Sequence, residues 1–506
     1  MSAFAHLPLG QTIPASPHAV SCSLPTMRDV RGYEEKDPAV TRHLTSGYPR
    51  FVVHPFARQL AAHTVATEPA LADRTLWLVT SAPMAEQLAT HLNVKKSGSA
   101  EIFIRDALHG VTHLAADAAT GARAKVFLQN IGGFISSREA EDHLLRAGLI
   151  ATLHPEENFA GDAAAEIRRH LHRALPATSE ADLLIANSGM NAVKAAFSAV
   201  SQVQAPRGRT VWVQLGWLYL DTIEILKKFT ATPADYVYAR DVFDLEALER
   251  IFARHGHRIA GLVTEVPTNP LFQTPDLRAL SDLCRSHGVH LILDPTTASV
   301  FNLDVLSYAD VITSSLTKYA ASEGDVMAGF VAVNPAGPDA VELRRLIAAT
   351  LEPVYSRDLS RLAAEIGQVD EVLKTINAST AKVVSFLESH PAVKDVFWAR
   401  HARSEKNFSR IAHRPDATGG MITFTLKKLG ALENFYDRLR LPKGPSFGMK
   451  TTLICPFMYL AHYDLVTTPA GLAELAASKL DPDLLRLCVG CEDPDDIIAT
   501  LAEALG

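Results

Sequence analysis

A single lysine, Lys318, stands between two apolar runs in the stretch DVITSSLTKYAASEGDVMAGFVAVNP. Such a lysine is either a surface charge whose stem lies along apolar surface or a buried amine held for covalent chemistry. Two hydroxyl side chains, Ser315 and Thr317, come just before it. This order predicts a strand whose end presents hydroxyl groups to an anion and an amine to a carbonyl group.

Polar residues follow other apolar runs in the same way. Gly189 and Met190 follow DLLIANS at a predicted helix start, Asn269 follows GLVTEVPT, and Asp294 follows VHLIL. Ligands of open α/β sheets bind at the carboxyl ends of the strands, and a helix N-terminus binds anions through its free N–H groups. Together these features fit pyridoxal phosphate (PLP), which needs a lysine for a Schiff base, a carboxylate for the ring nitrogen and donors for the phosphate.

Each of these features has a simpler explanation when it is taken alone. A Ser-Gly pair at a helix start is usually a cap, and an Asp after a strand is usually a turn former. Tyr219 could be one more aromatic residue of the core beside Trp212 and Trp217. Arg486 lies in the apolar run DLLRLCVG, where an arginine must find an anion or reach water. The joint order along the chain favours the cofactor.

The elements that carry these residues are predicted to form a mostly parallel sheet. From about residue 75, short apolar runs alternate with amphipathic helices, which is typical of strands buried on both faces. The runs interpreted as strands are TLWLVTS, AKVFLQNI, DLLIANS, GRTVWVQLG, IAGLVTEVP, VHLILDP and ADVITSS. We therefore predict an extended N-terminal arm (1–70), a large α/β domain (71–335) with an added α/β segment (about 71–180), and a smaller α+β domain (336–506).

Composition narrows the class of partner. The 506 residues carry a formal net charge of −7 and no long basic run, which argues against nucleic acid or an anionic membrane as partner and favours small molecules. No run of 18 apolar residues and no signal peptide is seen, so a cytoplasmic protein is expected. The five cysteines form no disulfide framework, the CVGC pair is interpreted as strand residues, and no metal site is predicted.

Several motifs in order resemble one enzyme family over nearly the whole chain. They are NSGMNA, TEVPTNP, LDPTT, SLTKY and RLCVGCED, preceded by GQTIPASPHAVSCSLPT, GYEE and GYPRF and accompanied by YLDT and CPFMYLAHYDL. The sequence resembles the Cys/Met-metabolism, or trans-sulfuration, group of fold type I PLP enzymes, and within it the fungal-type cystathionine γ-synthases. This resemblance implies an aspartate-aminotransferase-like fold and PLP as cofactor.

The resemblance also implies roles for the cofactor-binding residues. Lys318 would form the Schiff base and then move protons, Asp294 would pair with the pyridine nitrogen, and Tyr219 would stack on the ring. Asn269 would lie near the cofactor's O3′ or the substrate carboxylate. The phosphate would be bound by backbone N–H groups and hydroxyls from Gly189, Met190, Ser315 and Thr317.

Other roles implied by the resemblance concern the substrate and a second subunit. Arg486 would hold the substrate α-carboxylate by a two-pronged contact that Lys cannot reproduce, with Ser446 beside it. Tyr48 and Arg50 of the arm would reach the phosphate of a neighbouring subunit. A homo-oligomer, dimer or tetramer, with shared active sites is therefore expected.

The sequence departs from the family pattern at several places near the site. Leu220 and Asp221 stand where most members have glycines, Pro295 replaces the asparagine of D-N-T, and Thr451 replaces an acidic residue. ASEG stands where members are glycine-rich. These departures concern the substrate and the second nucleophile rather than the cofactor.

The activity implied by the resemblance is γ-replacement, in which an O-acyl-homoserine and cysteine give cystathionine, as in methionine biosynthesis. Three alternatives stay open: a related lyase or sulfhydrylase, γ-substitution with a non-sulfur nucleophile, and a protein of this fold without catalysis. A lysine in a poorly solvated pocket has a lowered pKa, which suits it to act as the base near neutral pH.

Overall fold

The computed structural model describes residues 4–46, 52–71, 73–92, 105–106, 112–116 and 118–506. Tyr48 and Arg50, predicted to reach a neighbouring subunit, lie outside the described residues, so the homo-oligomer stays a prediction. The N-terminal elements are β1 (Thr12–Ile13), β2 (Ser21–Cys22), α1 (Met27–Glu34), α2 (Pro38–Thr41) and α3 (Pro55–Thr67).

The next part of the chain forms a small antiparallel sheet in the order β3-β5-β4, packed against helices. Its elements are β3 (Thr75–Leu78), α4 (Ala82–His91), β4 (Arg105–Asp106), β5 (Thr112–Ala116), α5 (Ala118–Ile131) and α6 (Ser137–Arg146). The prediction of a strand at AKVFLQNI was wrong, because this run is the second half of α5. Its buried residues Ala124, Phe127, Leu128 and Ile131 follow the helical spacing of three to four.

The central sheet confirms the predicted mostly parallel architecture. Among the described residues it has seven strands in the order β6-β12-β11-β10-β9-β7-β8. Strands β11, β10, β9, β7 and β8 are parallel, and β12 is antiparallel to both of its neighbours. The strands are β6 (Leu183–Ala186), β7 (Val211–Leu215), β8 (Tyr236–Ala239), β9 (Ile259–Glu265), β10 (His290–Asp294), β11 (Val311–Ser315) and β12 (Gly329–Val333).

Helices cover both faces of this sheet. Successive residues of a strand point to opposite faces, so each strand contributes side chains to both cores. Leu291 and Leu293 of β10 belong to one core cluster, whereas Ile292 belongs to the other. The helices of the first face are α7 (Ala163–Ala174), α10 (Leu245–His255) and α11 (Leu277–Ser286), and those of the second are α8 (Gly189–Gln204), α9 (Leu220–Phe229) and α12 (Ala340–Thr350).

The C-terminal part contains a four-stranded antiparallel sheet in the order β13-β14-β16-β15, as counted in the described chain. Its strands are β13 (Val393–Trp398), β14 (Met421–Leu426), β15 (Leu453–Pro456) and β16 (Leu485–Cys488), and its helices are α13 (Ser356–Ile366), α14 (Val369–Ser389), α15 (Glu405–Ile411), α16 (Leu432–Arg438), α17 (Phe457–Ala461), α18 (Tyr463–Thr467), α19 (Pro469–Ala477) and α20 (Pro494–Leu505). Leu485 and Leu487 of β16 pack into a core with α14 and α20. Arg486 between them therefore faces the other side.

Within the described ranges, none of the helices has the length and apolar character required to cross a membrane.

Candidate active site

One cavity gathers all ten of the predicted site residues that the structure describes. The carboxyl ends of β9, β10 and β11 and the start of α8 form its floor, and the C-terminal part of the chain supplies the opposite wall. The predicted residues that line it are Gly189, Met190, Tyr219, Asn269, Asp294, Ser315, Thr317, Lys318, Ser446 and Arg486.

Lys318 is a buried amine in this cavity. Its side chain is 7% exposed, and its Nζ donates a hydrogen bond to Ser446 Oγ at 2.7 Å and lies 4.8 Å from the centre of the Phe447 ring. Burial and the nearby Arg486 guanidinium lower the pKa of Lys318 well below its ordinary value. This shift favours the neutral amine, which is the form that can attack an aldehyde and accept a proton.

The loop that holds Ser446 is fixed against the lysine by backbone contacts. Tyr319 N–H donates to Gly448 O at 2.7 Å, and a Cβ at Gly448 would lie 2.8 Å from Tyr319 N. Glycine is required at this contact because a side chain would push the two segments apart. The segment of residues 446–448 therefore lies directly against Lys318.

Asp294, at the end of β10, lies half-buried in the cavity floor. Its Oδ1 accepts the N–H of Thr296 at 2.9 Å. Burial raises the pKa of Asp294 to about 6. A bound cation or a protonated ring nitrogen would stabilise the charged form and reverse this shift.

Glu265 is a buried carboxyl group beside Asp294, and the two are paired in register across β9 and β10. Its side chain accepts the backbone N–H of Tyr219 and, at 3.1 Å, the backbone N–H of Asn269. Burial and the charge of Asp294 raise the pKa of Glu265 well above its ordinary value. One carboxyl group thus fixes the backbone of two predicted cofactor-binding residues.

The start of α8 packs closely against the end of β11 because of Gly189. A Cβ at this position would lie 2.9 Å from Ser315 Cβ, so only glycine lets the helix start approach the end of β11 this closely. Ser188 caps the helix by accepting the N–H of Asn191 at 3.2 Å. The hydroxyl of Thr317 donates to Ala328 O at 3.3 Å and accepts the N–H of Ala328 at 3.1 Å, which ties it to the neighbouring backbone.

Arg486 lies in the wall of the cavity between two aromatic rings. Its guanidinium carbon is 4.7 Å from the centre of the Phe457 ring and 5.5 Å from that of Phe447. It donates to Ser446 O at 3.4 Å, and no carboxylate of the described residues lies within salt-bridge distance of it. A guanidinium next to two aromatic rings and without an acidic partner among the described residues is suited to bind an incoming carboxylate.

The cavity fits PLP on grounds independent of the motifs. Asn269 Oδ1 is buried and has no donor among the described residues, so it is available to a ligand group. Three groups of the cavity match the three polar parts of PLP. The start of α8 at Gly189 suits the phosphate, the amine of Lys318 suits the aldehyde, and the carboxyl group of Asp294 suits the ring nitrogen.

Four further residues of the site were missed by the sequence interpretation or left out of it. Thr296 Oγ1 accepts the N–H of Ser315 at 2.9 Å. Glu265 accepts the backbone N–H groups of Tyr219 and Asn269, and Phe457 and His462 line the cavity. An acid directly after an apolar run was the available signal for Glu265. Nothing in the sequence indicates which side chains of the segment CPFMYLAHYDL turn inward.

A family model for Cys/Met metabolism PLP-dependent enzymes matches residues 165–506. The chain belongs to this family. The match begins at α7 and includes the central sheet, Lys318, Asp294 and Arg486. PLP is therefore the cofactor of the site, and family members act on small amino-acid substrates.

Two relatives are similar over nearly their whole length. The chain is 39% identical over 492 residues to a protein of Streptantibioticus cattleyicolor named L-2-amino-4-chloropent-4-enoate dechlorinase/desaturase, with 97% of each chain covered. It is 26% identical over 613 residues to the cystathionine gamma-synthase of Neurospora crassa, with 98% of each chain covered. Both matches extend over most of the part that precedes the family model.

A solved structure supports the fold. Cystathionine gamma-lyase from Lactobacillus plantarum, complexed with L-serine, superposes with a TM-score of 0.58 at 21% identity. The superposition covers 68% of this chain and 86% of the other. The chain therefore has the fold type I architecture that the motifs predicted.

Proposed function

We propose that this enzyme removes the γ-substituent of a 2-amino acid, and that loss of HCl from L-2-amino-4-chloropent-4-enoate or a close analogue is its reaction. The name and similarity of the S. cattleyicolor relative support this reaction. In net terms chloride leaves C4 with the bonding electrons of the C–Cl bond and one proton is lost from C5, while any proton taken from Cα or Cβ during the reaction is returned to carbon before release. The organic product is 2-aminopent-4-ynoate.

The observation that carries the proposal is that one arginine lines the cavity among the residues that the structure describes. Among the described lining residues, the lysine and arginine side chains are Lys318 and Arg486. Lys318 serves the cofactor, so Arg486 is left to hold one α-carboxylate. Elimination requires one amino acid in the site. Replacement by cysteine requires space for two amino acids and positive charge for two α-carboxylates.

Several side chains of the cavity have separate roles in the proposed reaction. PLP, when bound, supplies the electron sink for the negative charge that forms at the substrate carbons. Arg486 orients the substrate through its carboxylate, and Lys318 takes the Cα proton, with Ser446 Oγ holding Nζ in place. Phe447 and Phe457 exclude water from the Arg486 contact, which strengthens it.

A second candidate is the γ-replacement predicted from the motifs, which gives cystathionine from an O-acyl-homoserine and cysteine. The similarity to the N. crassa cystathionine gamma-synthase over 98% of both chains favours it. In this reaction Lys318 and Arg486 keep the same roles toward the first substrate, and the thiol adds at Cγ.

One assay separates the two candidates. The holoenzyme is incubated with L-2-amino-4-chloropent-4-enoate, or with O-acetyl- or O-succinyl-homoserine with and without cysteine, and chloride and products are identified by ion chromatography and mass. We expect chloride release and a product lighter by one HCl. Cystathionine as the main product, without chloride release from the chloro substrate, would instead establish the second candidate.

Two variants test the assigned roles in the same assay. K318A should lose the absorbance band of the bound cofactor and all turnover. R486K should keep the band but lose at least about tenfold in kcat/KM, because Lys cannot make the two-pronged contact. A wild-type protein that takes up no PLP would mean that the chain is not a catalyst of this kind.

A further inference from the structure

His462 lines the cavity and has no part in the mechanism above. It follows α17 directly, and its side chain is nearly buried, at 9% exposed. The ring lies edge-on to Trp217, with 5.1 Å between ring centres, and edge-on to Phe457, with 5.7 Å. A polar ring placed this deeply in an aromatic wall needs partners for both of its nitrogens.

The first partner decides the protonation of the ring. Trp217 Nε1 lies 3.2 Å from His462 Nε2, and an indole N–H can only donate. His462 Nε2 therefore carries a lone pair, and the single ring proton resides on Nδ1. Burial, Lys227 and Arg486 lower the pKa of His462 to about 4, so the ring stays neutral in the physiological range.

The second nitrogen is a donor that the cavity must satisfy. His462 Nδ1 makes no hydrogen bond to another described residue, and the adjoining lining residues Leu220, Leu460 and Ala461 offer apolar side chains. His462 and Arg486 contact the same ring, that of Phe457. A substrate bound through its α-carboxylate at Arg486 therefore has His462 close by, in the same wall of the cavity.

We propose that His462 contacts the γ-substituent of the substrate and donates its Nδ1–H to the leaving atom, a halide or an acyloxy oxygen. This inference rests on the proposed function. The leaving group departs as an anion with the bonding electrons, and the hydrogen bond stabilises its growing charge without transfer of the proton. The neutral ring retains Nδ1–H throughout, so the proton that leaves Cα goes to Lys318 alone.

Two substitutions of similar shape separate this role from a structural one. H462N places an amide N–H near the position of Nδ1 but is too short to accept from Trp217. H462Q reaches Trp217 with its side-chain oxygen but removes the donor at Nδ1. We expect H462N to keep kcat for chloride release within about fivefold of wild type, and H462Q and H462F to lose about 10- to 100-fold.

Controls exclude loss of folding or of cofactor. W217F leaves His462 in place and should lose less activity than H462Q, and every variant should keep the cofactor absorbance band. ¹⁵N NMR of histidine-labelled holoenzyme, with H462N as the assignment control, should show the His462 ring as the Nδ1–H tautomer. O-acetyl-L-homoserine should be affected more than the chloro substrate, because acetate is the more basic leaving group.

Each outcome of these experiments is informative. An active H462Q together with an inactive H462N would show that the ring only holds Trp217, and equal activity of all variants would show that it has no role; either result overturns the inference. If wild type turns over neither substrate, the proposed function fails, and the inference fails with it.

Discussion

Asp294 and Glu265 place two carboxyl groups side by side in the floor of the cavity, where neither is fully solvated. Burying an ionised carboxylate costs free energy, and the cost shows as a raised pKa. The folded protein without cofactor therefore carries a destabilising site, which PLP would relieve in the proposed arrangement with its ring nitrogen beside Asp294. The carboxylate of Asp294 is therefore favourable for cofactor binding and unfavourable for the stability of the protein without cofactor.

The stability of the apoenzyme should depend on pH through Asp294. Its pKa is raised from 3.8 to about 6, so the native state binds more protons than the unfolded state between these values. The free energy of unfolding then falls as pH rises through this window. We expect apo D294N to exceed apo wild type by about 1–3 kcal/mol at pH 7.5 and by little at pH 4, measured by urea unfolding.

The matched control for this prediction is D304N, which changes an exposed aspartate. It should shift the unfolding midpoint by the same small amount at both pH values. D294N should bind PLP much more weakly despite its stability. An apo D294N that is less stable than wild type at pH 7.5 would show that Asp294 already has a stabilising partner in the apo state.

At the scale of elements, the part of the chain that precedes the family model is joined to the active site through α5. Asn130 Nδ2 donates to Asp221 Oδ1 at 2.8 Å, and Lys228 Nζ donates to Asn130 Oδ1 at 3.0 Å. Asp221 and Lys228 belong to the first and last turns of α9, and Tyr219 is its N-cap residue. Helix α5 thus helps to fix the helix that Tyr219 precedes.

Removal of this link should affect both stability and cofactor binding. N130A deletes a buried hydrogen-bond partner, which costs about 1–3 kcal/mol of unfolding free energy, and loosens the start of α9. We expect a higher Kd for PLP, measured by absorbance titration of the apoenzyme. K228M, which removes a partly exposed lysine and keeps the Asn130–Asp221 bond, should leave the Kd within about twofold. Unchanged PLP affinity in N130A would mean that α9 is held without α5.

The sequence predicts the positions of strand ends well and the contacts between loops poorly. Lys318, Asp294 and Asn269 each follow an apolar run, and parallel strands bring such ends to one edge of a sheet. The hydrogen bond from Tyr219 to Glu265 depends instead on the path of the loop between β7 and α9. The run AKVFLQNI was misassigned because a short apolar run fits a strand or a buried helix turn equally well.

At the scale of the whole molecule, Arg138 joins three distant parts of the chain. It is fully buried in α6, and its guanidinium contacts Glu156 at 2.7 Å and Asp358 of α13 at 3.1 Å. It also donates to Asp325 O at 2.7 Å, in the loop that follows Lys318. One side chain thus ties the region before the family model to the lysine loop and to the C-terminal part.

Loss of this arginine should destabilise the molecule strongly, since it leaves the buried carboxylate of Asp358 without a cation among the described residues, although Glu156 and Asp325 keep Arg357 and Arg361. We expect R138M to lose about 3–5 kcal/mol of unfolding free energy, seen as a lower thermal midpoint of the holoenzyme. The control R278M removes an exposed pair with Asp282 and should leave the thermal midpoint nearly unchanged. Because Asp325 lies in the lysine loop, R138M should also weaken PLP binding, and R278M should not. Equal thermal midpoints for the two variants would show that the carboxylates around Arg138 find other partners, and the loop would then be held by Gly324 O accepting the N–H of Val20 at 2.8 Å.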